Sequence, residues 1–216
     1  MNFAFFASLI VFCIWLAYEI RKHNKKNKKS TEAFWQKEAL ADSARKQSLD
    51  NLDYIVLPPE ILHLLDAEFP DSLQESVNFL KNSTERKIVN LSFITNTDLK
   101  LRYGAANLET LTGYDLNFTA LVKHLNTVGE FFYTEGDSDK AETVLEYAVS
   151  VQSDLISTYR MLANLYVSQN NASGLDYLIN TASLLPGLTK GPILRLLHDL
   201  RPEDTNEPES ILDILD

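Results

Sequence analysis

Six positions between residues 125 and 148 are matched, 34 residues later, by residues of a similar kind. Leu125, Val128, Gly129, Phe132, Leu145 and Ala148 recur as Tyr159, Leu162, Ala163, Tyr166, Ile179 and Ala182. Two apolar faces of helical spacing within such a period describe a helix-turn-helix unit that is repeated. The requirement is steric: Gly129 and Ala163 let paired helices approach, and the larger residues fill the notches between them. A unit of this kind cannot bury its apolar face alone, so the period predicts packed neighbours on either side.

The bend inside the first unit is acidic, Glu135-Gly136-Asp137-Ser138-Asp139. A calcium loop alternates oxygen ligands over about twelve residues around a central Gly and closes on a Glu. Here the Gly precedes both aspartates, and Ala141 and Val144 arrive where ligands are needed. The bend therefore reads as a helix stop at Gly136 and an N-cap at Asp137, with no metal site. Before it, Phe118, Leu121, Val122, Leu125, Val128, Phe131 and Phe132 keep helical period, with Asp115 as the expected cap. Asp154 and Asn171 fall at the junctions where later helices start. The stretch PILRLLHDL, residues 192–200, is expected to cap the stack.

Residues 122–155 resemble the tetratricopeptide-repeat family, with Gly129, Phe132, Ala141, Leu145 and Ala148 on its pattern. The second unit, 156–189, carries Leu175 where that family has a small Ala, and Pro186 one place before its usual terminal Pro. The resemblance covers about a third of the chain and implies an α-solenoid. It also implies a concave face on the first helix of each unit that accepts extended or helical peptides. The inward residues would be Lys123, Asn126, Glu130 and Tyr133, then Ser157, Arg160, Asn164 and Val167. Lys123, Arg160 and the two amides would hold a carboxylate, which Glu130 opposes. The passages AFWQKE, NTDLKLRYGAANL, AETVLEYAVS and STYRMLANLY give the whole chain a further resemblance, to bacterial single-pass membrane proteins with a cytoplasmic repeat domain. That resemblance implies an organisation and no reaction.

The second strong signal is FAFFASLIVFCIWLAY, Phe3 to Tyr18, which carries no charge. As a helix it rises roughly 24 Å against a hydrocarbon core of ~30 Å, and Met1, Asn2 and the stems of Glu19 to Lys22 would make up the difference. A cleaved signal peptide starts with cations and ends in a small-x-small site; this stretch starts Met-Asn and continues Leu-Ala-Tyr-Glu-Ile-Arg. The expectation is an uncleaved transmembrane anchor over residues 1–20. Six cations crowd residues 21–29, and the positive-inside rule then places the remainder in the cytoplasm and the N-terminus outside the cell membrane. From Ser30 onward the chain has 29 acidic and 14 basic residues, a net of −15. So acidic a body is repelled by phosphate backbones, which argues against nucleic-acid binding. The single cysteine, Cys13, excludes an internal disulfide and a cysteine-based zinc site.

Between anchor and repeats, a basic juxtamembrane segment (21–30) leads into a juxtamembrane helix and strap (31–70). Ser30 or Thr31 is the expected N-cap, and Phe34 and Trp35 are expected to pack against the domain or dip into the lipid interface. Asp53 to Val56 is β-branched and then checked by Pro58 and Pro59, so 53–58 reads as a minor extended segment, with Pro59 starting a short helix. Residues 71–114 read as flanking helices, broken near Asn82-Ser83-Thr84, capped at Asp98 and weakened at Gly104. The repeats with their cap occupy 115–200. An acidic tail, 201–216, ends in the apolar stripe Ile211, Leu212, Ile214, Leu215. Three uses stay open for it: docking on a partner, folding back on its own groove, or fraying.

The fold expectation is thus all-α. No phosphate loop, dinucleotide fingerprint, nucleophile elbow or zincin motif occurs, and His23, His63, His124 and His198 stand at no metal-ligand spacing to one another. No enzyme, cofactor or small-molecule substrate is expected. The expected function is a membrane-anchored scaffold that recruits a cytoplasmic protein or peptide. The alternatives are an extracytoplasmic chaperone or export accessory with reversed topology, and an enzyme on an atypical helical fold.

Overall fold

The computed structural model describes residues 3–201, save the side chains of residues 3–5, 23–27 and 29. The acidic tail from residue 202 lies outside the described residues, so its three readings stay where the sequence left them. All regular elements described are helical: α1 (Phe3–Asp42), α2 (Pro59–Leu64), α3 (Gln74–Lys81), α4 (Asn96–Tyr103), α5 (Leu108–Thr134), α6 (Ser138–Ser150), α7 (Ile156–Ser168), α8 (Ala172–Leu184) and α9 (Lys190–Leu200). The chain divides into two compact units, residues 1–51 with 94–110, and residues 52–93 with 111–216.

In the first unit α1 runs unbroken, because nothing between residues 3 and 42 is Gly or Pro. Ser30 and Thr31 therefore sit mid-helix and start nothing. The expected transmembrane helix is corrected: among the described residues, no helix is long and apolar enough to cross a membrane. Among the residues with described side chains the uncharged stretch is Phe6 to Tyr18, and Glu19, Arg21 and Lys22 follow it at once. Phe34 and Trp35 form an edge-to-face pair at 5.3 Å and are exposed.

The C-terminal end of α1 packs on α4 through Ala41 and Leu99, both buried, under a layer of ion pairs. Lys100 reaches Asp42 at 2.6 Å and Glu38 at 3.2 Å, and Lys37 reaches Asp98 at 2.7 Å. The cap of α4 is Thr95, not Asp98. The Thr95 hydroxyl oxygen accepts from the Asp98 N–H at 3.2 Å, and the Asp98 carboxylate accepts from that hydroxyl at 2.7 Å. Gly104 ends α4 at φ +90°, where a Cβ would stand 2.4 Å from the Arg45 carbonyl oxygen. That close approach lets the 44–47 segment run alongside: Gln47 N–H donates to Tyr103 O at 2.9 Å and Ala105 N–H to Ala44 O at 3.3 Å.

The second unit holds one apolar core running from Leu57 and Ile61 through α3 and α5–α8 to Leu197 on α9. Its repeat is explicit in the backbone. Helices α6 and α8 start and stop 34 residues apart, and α7 and α9 start at the same offset. Gly136 (φ +79°) and Asn170 (φ +55°), also 34 residues apart, are left-handed at the bends that precede α6 and α8. The next residues cap: Asp137 accepts from Lys140 N–H, and Asn171 from Gly174 N–H. Within the bends Asp137 N–H donates to Phe132 O at 2.9 Å, and Asn171 N–H donates to Tyr166 O at 2.8 Å. Lys140 lies over the Phe132 ring at 5.5 Å; at the matching place Gly174 lies under Tyr166, where a Cβ would meet the ring at 2.8 Å. Leu175, next to it, is buried in the core.

Two other helix-start expectations need correcting. α5 begins at Leu108 and passes through Asp115, whose carboxylate instead accepts from Leu91 N–H at 2.9 Å and tethers the 86–91 segment. α7 starts at Ile156 with Leu155 in the N-cap place and no side-chain cap, so Asp154 does not cap; Leu155 N–H donates to Ser153 Oγ at 3.3 Å. Residues 71–91 form a single turn, α3 and a second turn over Asn82–Glu85, then an extended run. Residues 53–58 are extended but in no strand; Ile55 N–H donates to Ile88 O at 2.9 Å, and Pro59 opens α2 as its first residue. α9 buries Ile193 and Leu197 against α7 and α8, closing the stack.

Candidate functional site

The expected partner face lies on α5 and α7. Asn126 is its hub: its side-chain oxygen accepts from Ser157 Oγ at 2.7 Å and from Thr158 Oγ1 at 2.9 Å. This pair of bonds registers the first helices of successive units. Thr158 is fully buried and escapes a reading of sequence alone, because its position on α7 looks like any other polar residue between apolar ones. Lys123 stands one turn before Asn126, and Arg160 one turn after Ser157; both are exposed. Neither has an ion-pair or hydrogen-bonded acid partner among the described residues. Asn126 is already spent on internal bonds, so the two cations, not the amide, are the free groups here.

Glu130 is exposed, while Tyr133, Asn164 and Val167 are half-buried. Tyr133 and Val167 pack against the core, which removes most of their surface from a partner's reach. Next to this face, α3 leans on α5. The Phe79 ring stacks on His124 at 4.5 Å, and His124 Nδ1 is 3.0 Å from Ser76 Oγ. Burial lowers the His124 pKa, so the ring is held neutral.

No family model matches this chain, and no curated protein or solved structure does either. The tetratricopeptide resemblance thus rests on the residues and on the 34-residue geometry alone.

A second concavity occurs where the sequence offered no motif. A groove of about 350 Å³ opens between Pro58–Ile61, α6 and Tyr177 of α8. Glu146 and Tyr147 line one wall, Glu60 the other. Tyr147 donates its hydroxyl to Val56 O at 3.0 Å and is pushed up to about 12 by burial, so it stays protonated and pins the strap over α6. Glu146 accepts from the hydroxyl of Tyr166, a bond between α6 and α7. The one legible sign was the polar-aromatic stripe Thr143, Glu146, Tyr147, Ser150 at helical spacing on α6. What it faces depends on where a segment more than eighty residues earlier comes to rest.

Proposed function

We propose that this chain is a membrane-associated protein-interaction scaffold, built on tetratricopeptide-like repeats, whose α5/α7 face recruits a protein partner. The observation that carries the reading is the pair of exposed, unpaired cations Lys123 and Arg160 on a body whose net charge from Ser30 onward is −15. In so acidic a surface, cations with no ion-pair partner among the described residues offer charge-assisted bonds to a carboxylate, with Glu130 on the same face opposing. The Asn126 bonds to Ser157 and Thr158 support it by holding the two helices in register.

Association with a membrane is supported by α1. Phe6, Leu9, Ile10, Val11, Phe12, Ile14 and Trp15 are exposed on several sides of the helix, more apolar surface than water tolerates without a cover. The cations of residues 21–29 follow directly, and such a run is drawn to the anionic cytoplasmic leaflet at about 1 kcal/mol per residue near the surface. The repeats would then work at the cytoplasmic side.

The test is proximity labelling from the membrane fraction, comparing wild type with Lys123→Glu/Arg160→Glu. Loss of a discrete set of partners is expected. Identical partner sets would remove the α5/α7 face from the proposal.

A further inference from the structure

We propose a second binding site, independent of the α5/α7 face: the groove between Pro58–Ile61, α6 and α8 takes an arginine or lysine side chain carried on an extended segment of a partner protein. Three properties of the lining point to a long cation. The first is chemistry. Glu60 is exposed and its carboxylate has neither ion-pair nor hydrogen-bond partner among the described residues. Glu146, across the groove, commits one oxygen to Tyr166 and leaves the other. Two carboxylates facing one cleft repel each other until a cation enters, and a guanidinium can bond to both.

The second is the apolar wall. Tyr147, Tyr177, Pro58 and Ile61 offer rings and aliphatic surface to the methylene stem, and Tyr177 is 44% exposed, an aromatic face open for cation–π contact. A small anion would use neither feature.

The third is the surrounding charge. The three helices lining the groove carry Glu60, Asp139, Glu142, Glu146 and Asp176, against Lys140 and His63. Lys140 is held by Asp137 at 2.6 Å and Asp176 by Arg201 at 3.0 Å, which leaves Glu60, Asp139, Glu142 and Glu146 to set the sign of the groove. The field therefore steers cations in and phosphates away. The groove floor is also fixed: the Tyr147 hydroxyl holds Val56, and Ile61 and Leu57 are in the core. A site built before its ligand arrives loses less ordering entropy on binding.

The experiment uses the full chain in a non-ionic detergent and fluorescence anisotropy with a dye-labelled, end-capped Gly-Arg-Gly-Arg-Gly peptide. Controls carry norleucine or Glu in place of Arg. The arginine peptide is expected to bind, and the controls at least tenfold more weakly. Glu60→Lys and Tyr177→Ala, both at exposed positions, should each weaken binding at least fivefold with far-UV circular dichroism unchanged. Asp199→Lys, the same charge change away from the groove, should shift affinity less than twofold, as should Lys123→Glu/Arg160→Glu. Absence of binding overturns the site, and so does Asp199→Lys weakening binding as much as Glu60→Lys, which would mean diffuse attraction to an acidic surface.

Discussion

Gly129 is the position at which the packing logic of the repeat can be tested for sign as well as size. It lies inside α5, fully shielded, and a Cβ there would stand 2.6 Å from Leu145 Cδ2 and 2.9 Å from Leu145 Cγ. Two effects of Gly129→Ala then oppose each other. The helix gains about 1 kcal/mol, because Ala has less backbone freedom to lose than Gly. The methyl group overpacks against Leu145, at a cost of about 1–3 kcal/mol, since Leu145 is itself fully buried and has nowhere to turn. The clash wins, and the net expectation is a loss of about 1 kcal/mol. Truncating the neighbour should reverse the sign. Leu145→Ala alone costs about 2–5 kcal/mol for the cavity it leaves. In that background, Gly129→Ala meets empty space and stabilises by about 1 kcal/mol, giving a coupling energy of about 2 kcal/mol in the double-mutant cycle. Urea unfolding followed by far-UV circular dichroism is the assay, because Trp15 and Trp35 both lie on α1 and do not report on this unit. If Gly129→Ala raises the urea midpoint of the otherwise wild-type chain, or shifts both backgrounds alike, the close approach of α5 and α6 is not what selects Gly at 129.

Other perturbations probe the remaining joints. Asn171→Ala removes the α8 cap, in which the side chain accepts from Gly174 N–H at 2.9 Å, and should cost about 1 kcal/mol in the same urea assay, while Asn171→Asp should cost little. Gly104→Ala forces a Cβ onto the Arg45 backbone at φ +90°, a strain of about 1–3 kcal/mol before the clash is counted. Hydrogen exchange at the Gln47 and Ala105 amides, both bonded across that contact, should accelerate markedly. His124 has a folded pKa below its unfolded value of about 6.5, so the unfolded chain binds more protons just below that pH. Its contribution is therefore complete above about pH 6.5 and is lost as pH falls towards the folded pKa. The urea midpoint of wild type should drop between pH 7 and 5, and His124→Gln should flatten that part of the profile.

What was legible in the sequence is what local chemistry decides. The 34-residue period, the stop at Gly136 and the caps at Asp137 and Asn171 depend on residues within a turn or two of each other, and each could be read before any fold was known. Neighbourhood decided the rest. Asp115 looks like a cap in every local respect, yet its carboxylate serves Leu91, 24 residues upstream. Asp98 gives way to Thr95 as the cap of α4, and Gly174 is needed because a Cβ there would meet the Tyr166 ring at 2.8 Å. The apolar run of α1 suggested a span, yet among the described residues no helix is long and apolar enough to cross a membrane. Lys123 and Arg160 were placed on one face by the tetratricopeptide resemblance, and the fold leaves both exposed. Whether Asn126 was free or spent could not be read in advance, since Ser157 and Thr158 reach it only after two hairpins stack. The groove at Glu60, Glu146 and Tyr177 lies furthest from sequence reasoning: periodicity reports the faces of one helix, and a cavity exists only where surfaces distant along the chain come to rest against each other.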